Sequence, residues 1–190
     1  MEGRMMREDA RNVRSEIFLV GNAADFTGNK VAAAKVALLT TANAAVAAER
    51  QNQIGGAGDV RQDYEIYADA FDAMMHDMET VRDFAASMAQ DTPGLETKFR
   101  IPRTGGKAGK IAAAYVFADD AEAIKQKFLD HGLAKEFIAD LRTKADAAKQ
   151  GLDAAQTSTG KKVGATGALA ANVKTASDLV EAMRPIVKYT

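Results

Sequence analysis

The stretch VRQDYEIYADAFDAMMHDMETVRDFAASM, residues 60–88, decides the fold. Within it Val60, Tyr64, Tyr67, Phe71, Met74, Met78, Val81, Ala85 and Met88 recur at alternating steps of four and three. Side chains that repeat every ~3.5 residues fall on one stripe of a helix, and in water that stripe needs another helix to cover it. The seam therefore predicts helix packing rather than chemistry, and it points to an all-α protein.

Composition agrees with this reading. Ala is abundant, Pro is limited to three residues and aromatics are few, which favours helices that approach one another closely. At 190 residues the chain can bury a core without covalent staples, and it reads as a single helical-bundle domain over 1–190. There is no Cys and no Trp. Disulfides, thiolate metal sites and cysteine nucleophiles are thereby excluded, nothing calls for an oxidising compartment, and a cytoplasmic address is expected. Residues 1–15 mix Arg with acidic residues and lack the apolar run of a secretory signal. No stretch is read as approaching the ~20 apolar residues of a membrane span. The 25 basic residues balance 26 acidic ones, which argues against a membrane partner and against general affinity for nucleic acid.

Working outward from the seam, a first helix is expected over about 8–22, with Met6, Ala10, Val13, Ile17, Val20 and Ala24 as its apolar stripe. Thr27 or Asn29 is placed to cap a second, Ala-rich helix over 30–54 by accepting from its free amides. Its stripe is Ala34, Leu38, Thr41, Ala45 and Ala48, widened by Val36, Leu39 and Val46. Gly55, Gly56 and Gly58 predict a turn, and the seam helix then runs over 59–90. After Pro93 and Gly94, the segment 95–110 reads as an ordered, irregular link. A helix over 110–130 follows, with Ala114, Phe117, Ala121, Ile124 and Phe128 inward and Gly132 as its left-handed cap. Another starts near Leu133 with Ile138, Leu141, Ala145, Ala148, Leu152 and Ala155. A turn is expected at 157–160, then a last helix carrying Leu169, Val173, Ala176, Val180, Met183 and Val187, ended or kinked by Pro185. The pieces predict an up-and-down bundle of about six helices built on two long antiparallel hairpins, 30–90 and 133–187. A shift of 99 residues pairs Met74 with Val173 and Val81 with Val180, a weak pseudo-repeat of a kind that heptads also generate by themselves.

No residue set marks a reaction. Asp69, Asp72, His76, Glu79 and Asp83 share the face opposite the seam, but a di-iron bundle needs two Glu-x-x-His pairs pointing inward, so a solvated surface is the better reading and no metal is assigned. His131 reads as a helix-terminal cation. Ser15, Ser87, Ser158 and Ser177 lack the Gly-x-Ser-x-Gly turn of a hydrolase nucleophile. Arg4, Arg7, Arg11 and Arg14 line one side of the first helix, interleaved with acids. The candidate binding segment is KFRIPRTGGKAGK, residues 98–110, where Lys98, Arg100, Arg103, Lys107 and Lys110 sit beside glycines just ahead of a helix. Such an arrangement suits phosphate or carboxylate, although it is not a P-loop, because Ala follows Gly106-Lys107. The competing reading is a structural link pinned to the bundle by Phe99 and Ile101.

The runs PGLETKFRIPRTGG (93–106), FADDAEAIKQKFLDHGLAKEFIADL (117–141) and LVEAMRPIVKYT (179–190) resemble a group of uncharacterised bacterial helical proteins. The resemblance implies a soluble, all-α protein, assigns no activity and transfers no functional residue. The resemblance implies that members of that group continue a little past the position of Thr190, which leaves a whole and a shortened chain as the two expectations. The expected role is non-enzymatic and without a cofactor: an interaction or scaffold protein that presents helix faces to a second copy or to a helical protein partner. The alternative is an anionic-ligand module at 98–110.

Overall fold

The computed structural model describes residues 2–26 and 28–189. The protein is an all-α helical bundle in which two long helices pack together. Six α-helices occur among the described residues: α1 (Glu2–Gly21), α2 (Lys30–Met88), α3 (Leu95–Lys98), α4 (Gly106–Glu122), α5 (Lys125–Asp130) and α6 (Phe137–Tyr189), with one 3-10 turn at Ala23–Phe26. Asn29 caps α2 as its residue type predicts, accepting from the amides of Val31 and Ala32 at 3.1 and 3.0 Å. Thr27, the other candidate cap, lies outside the described residues.

The predicted hairpins are replaced by single helices. α2 runs unbroken through Gly55, Gly56 and Gly58, and α6 runs unbroken through residues 157–160 and past Pro185 to Tyr189. A glycine costs about 1 kcal/mol inside a helix, less than the loss of several ladder hydrogen bonds that a turn would require, so it weakens a helix without ending it. Pro185 lies in the last turns of α6, where it removes one backbone donor from a helix that is about to end. Other boundaries move as well. α4 begins at Gly106, four residues before the expected start, and a break at 123–124 divides the expected helix 110–130 into α4 and α5. The link carries one helical turn of its own, α3. α6 starts at Phe137 rather than near Leu133.

The chain divides into two compact units, 59–158 and 1–58 with 159–190. In the first of these the seam is covered from Tyr67 onward, whereas Tyr64, also predicted inward, is 50% exposed. Tyr67, Met74, Met78, Val81, Ala85 and Met88 are buried in one core with Ala114, Phe117, Ala121 and Phe128 and with Ile138, Leu141, Ala145 and Ala148. α2 and α6 run antiparallel there, with Asp63 accepting from Ser158 and the Lys144 ammonium 2.8 Å from Asp77. The two helices come close at Gly151 of α6, where a Cβ atom would lie 2.9 Å from Tyr67 Cα. Gly132 adopts φ 95°, and the amides of Gly132 and Leu133 return to the carbonyls of Leu129 and Phe128 to close α5.

The other unit packs α1, the first part of α2 and the last part of α6 around Leu19, Phe26, Ala32, Leu39, Ala176 and Met183, with Val46, Leu169 and Val173 as a second cluster. The predicted stripe of α1 is corrected here, and that of α2 in part. α1 buries Leu19, Asp9 and Asn12, while Met6, Val13, Ile17 and Val20 are 61, 40, 67 and 52% exposed. The buried line is the predicted one displaced by one residue, about 100° around the axis. On α2 the buried line is Ala32, Leu39, Asn43 and Val46, so the widening residues Leu39 and Val46 are inward as expected, while Leu38 of the central stripe is 56% exposed. Polar partners fix the choice. Asp9 pairs with Arg50, Asn12 donates to Ser177 Oγ and the Val173 carbonyl, and Asn43 donates to Glu16 Oε2 at 2.6 Å.

Two glycines of α6 should therefore respond oppositely to one methyl group. Gly151→Ala gains helix propensity but forces α6 against the Tyr67 backbone, whereas at Gly164 nothing lies within 4 Å of an added Cβ. Urea denaturation should show Gly164→Ala unchanged or stabilised by up to about 1 kcal/mol, and Gly151→Ala less stable than it by about 1–3 kcal/mol.

Candidate functional site

The link 99–105 is positioned from beneath by one aromatic ring. Phe99 is fully buried and meets Phe117 and Phe128 edge to face, with centroids 5.5 and 5.4 Å apart. Such pairs contribute roughly 0.5–1.5 kcal/mol each beyond their area. Ile101 packs against the same core. The chain then enters α4 through Gly105 and Gly106, at φ 93° and 60°, a left-handed pair that side chains with a Cβ resist. Gly109 donates its amide to the Gly105 carbonyl at 3.0 Å.

The five cations read from the sequence have separate destinations. Lys98 lies 3.0 Å from the Asp120 carboxylate of α4. Lys107 sits over the rings of Tyr67 and Tyr64, 4.6 and 5.2 Å from their centroids. Arg100 and Arg103 are exposed, and Lys110 is half-buried. Among the described residues, no ion pair, side-chain hydrogen bond or ring contact joins any two of these five to a shared partner.

The remaining chemistry-bearing residues are dispersed. Asp69, Asp72, His76, Glu79 and Asp83 are all exposed on α2. His131 places Nδ1 2.9 Å from the Lys127 carbonyl, at the end of α5. Ser158 donates to Asp63 and Ser177 to Asn12, so neither hydroxyl is held by an imidazole. A cleft of about 230 Å³ brings His76, Asp77 and Thr80 of α2 beside Asp140 and Lys144 of α6. The ion pair within it joins Asp77 to Lys144. Among the described residues the His76 ring has no hydrogen-bond partner, so no partner orients it for proton transfer.

Two tyrosines are perturbed. Burial, then the neighbouring Tyr64 and Asp72, raises the pKa of Tyr67, whose hydroxyl has no hydrogen-bond partner among the described residues. The Tyr115 hydroxyl donates to Asp146 Oδ1 at 2.6 Å, and that bond, with desolvation and the carboxylate charge, pushes its pKa up to about 12. A phenol raised above its ordinary value of 10 contributes stability fully below pH 10, and loses it as pH rises through about 12.

The sequence reading missed the apolar surface that the N-terminal unit leaves open. Besides the α1 stripe, Val31 and Leu38 of α2 are 59 and 56% exposed. By length and composition α2 also holds a window of 18 residues with mean hydropathy 1.5, 22% of it buried, which corrects the expectation that no stretch approaches the apolarity of a span. The signal was present in residues 31–48, where Lys35 is the one charged side chain. No family model, curated protein or solved structure matches the chain.

Near-ultraviolet titration of the four tyrosines should show Tyr115 ionising near pH 12 and Tyr67 above pH 10. Asp146→Asn removes the charged acceptor and should return one transition towards 10 while leaving Tyr67 late.

Proposed function

We propose that this protein is a non-enzymatic, cytoplasmic interaction or scaffold protein that self-associates through the open helix faces of its N-terminal unit. The carrying observation is the orientation of α1. It directs Asp9 and Asn12 into its own bundle and leaves Met6, Val13, Ile17 and Val20 in water. Burying such side chains contributes about 1 kcal/mol or more each at their present exposure, and the heptad spacing of the stripe suits a helix as its cover. The Ala-rich face of α2 favours close helix approach. A different helical protein is the other occupant of the same class.

The second reading, an anion-binding module at 98–110, is supported by Arg100 and Arg103, which are exposed and lack an ion-pair partner among the described residues beside the glycine entry to α4. A phosphate or polyanion series in thermal denaturation tests it: a rise in apparent Tm that Arg100→Ala with Arg103→Ala abolishes supports this module, and no rise removes it.

For self-association, size-exclusion chromatography with light scattering should give a dimer or larger species at high concentration. Ile17→Glu combined with Leu38→Glu should give a monomer with unchanged helical circular dichroism, because both positions are exposed within one chain. A native chain that stays strictly monomeric overturns the proposal of self-association.

A further inference from the structure

Beside α1, on the side facing the end of α6, lies an open cleft of about 500 Å³. Its floor and walls are apolar: Leu19 and Met183 are buried, Val180 is half-buried, and Phe18 and Val187 are 53 and 37% exposed. Among the described residues, the arginines Arg11, Arg14 and Arg184 line the same cleft with Glu181, and Lys188 stands at its edge. Glu181 is already shared, 3.1 Å from both Arg11 and Arg184. Arg14 is exposed and has no ion-pair partner among the described residues, and Arg11 Nε is buried without a hydrogen-bond partner. An unmet buried donor on a guanidinium costs free energy that an arriving anion can recover.

We infer that this cleft is a binding site for a monomeric amphipathic anion, a long-chain aliphatic carboxylate or its equivalent. The volume falls within the roughly 300–1,000 Å³ typical of small-molecule sites, which are apolar with a few placed polar groups. The aliphatic chain lies along Leu19, Met183 and Val180 under Phe18 and Val187, removing their exposed surface from water. The head group meets the excess of positive charge, with Arg14 and Arg184 as its principal contacts. A neutral chain of the same length would satisfy the floor and leave Arg14 unmatched, and a short carboxylate would do the reverse. Both features together select an anion with a tail. The site uses α1 residues on the side away from the Met6, Val13, Ile17 and Val20 stripe, so it is independent of self-association there.

Isothermal titration of the full chain with sodium laurate, held below its micelle concentration, tests the inference, with dodecanol and acetate as probes of each half. Laurate should bind saturably, and dodecanol and acetate should each bind at least about tenfold more weakly. Arg14→Ala with Arg184→Ala, both at exposed positions, should raise the laurate Kd about tenfold or more, and Phe18→Ala should raise it severalfold, with circular dichroism unchanged. The inference is overturned if laurate does not bind, if the double variant binds it as tightly as the native chain, or if dodecanol matches it. Binding to phosphatidylglycerol vesicles without binding to monomeric laurate also overturns it and assigns the charge to a membrane surface.

Discussion

Close approach of α6 to α2 at Gly151 and Tyr67 is the constraint on which the 59–158 unit depends. With no Cβ at Gly151, the α6 backbone reaches the Tyr67 backbone, and the ring of Tyr67 is buried beneath. Tyr67 is also where the seam meets the basic link, because Lys107 lies over its face. Met74, Met78, Val81, Ala85 and Met88 then extend the contact along α2, one helical turn after another, against α4 and α6. The link 99–105 owes its order to the same core, through Phe99. A loop pinned by a buried aromatic can hold exposed arginines in fixed places without any cavity around them.

The N-terminal unit follows a different rule. Its helices join through a line of paired polar side chains, Asp9 with Arg50, Asn12 with Ser177, and Asn43 with Glu16, set among small apolar contacts. Buried polar pairs add less net stability than apolar packing of the same volume, but they specify one rotation of a helix over another, since a mismatched rotation strands a donor. In an Ala-rich helix that selectivity matters, because Ala offers nearly the same face in every direction. The consequence is functional: once polar partners have fixed the orientation, the large apolar side chains of α1 remain outside, together with a cation-lined cleft against α6.

Legibility in the sequence tracks these two rules. Between residues 67 and 155 the periodic large side chains named the buried face, Tyr64 being the exception before it, and Gly132 named its cap while Asn29 was one of two candidates for the other. For α1 the apolar period named a face that the structure leaves in water, because pattern reading weighs side chains one at a time and Asn12 becomes a core residue only when Ser177 and the Val173 carbonyl arrive from 161 and more positions away. The glycines at 55–58 and the segment 157–160 read as turns for a related reason. Their local cost is real, yet it is met by helix on both sides and by a partner helix alongside, neither of which is visible in a short window. Of the candidate site, the residues of the basic link were legible as a charge run; that Lys98 goes to Asp120 and Lys107 to two tyrosines was not.

The sequence by itself determined the all-α class, the seam and most of its large buried side chains, the cap at Gly132, and the absence of thiol chemistry. These follow from period, propensity and composition, which are local properties. Tertiary structure alone decided that two predicted hairpins are two continuous helices, which face of α1 turns inward, and which cations border an apolar cleft. Each of those depends on a contact between residues far apart in the chain, where a polar partner or a missing Cβ outweighs the local pattern.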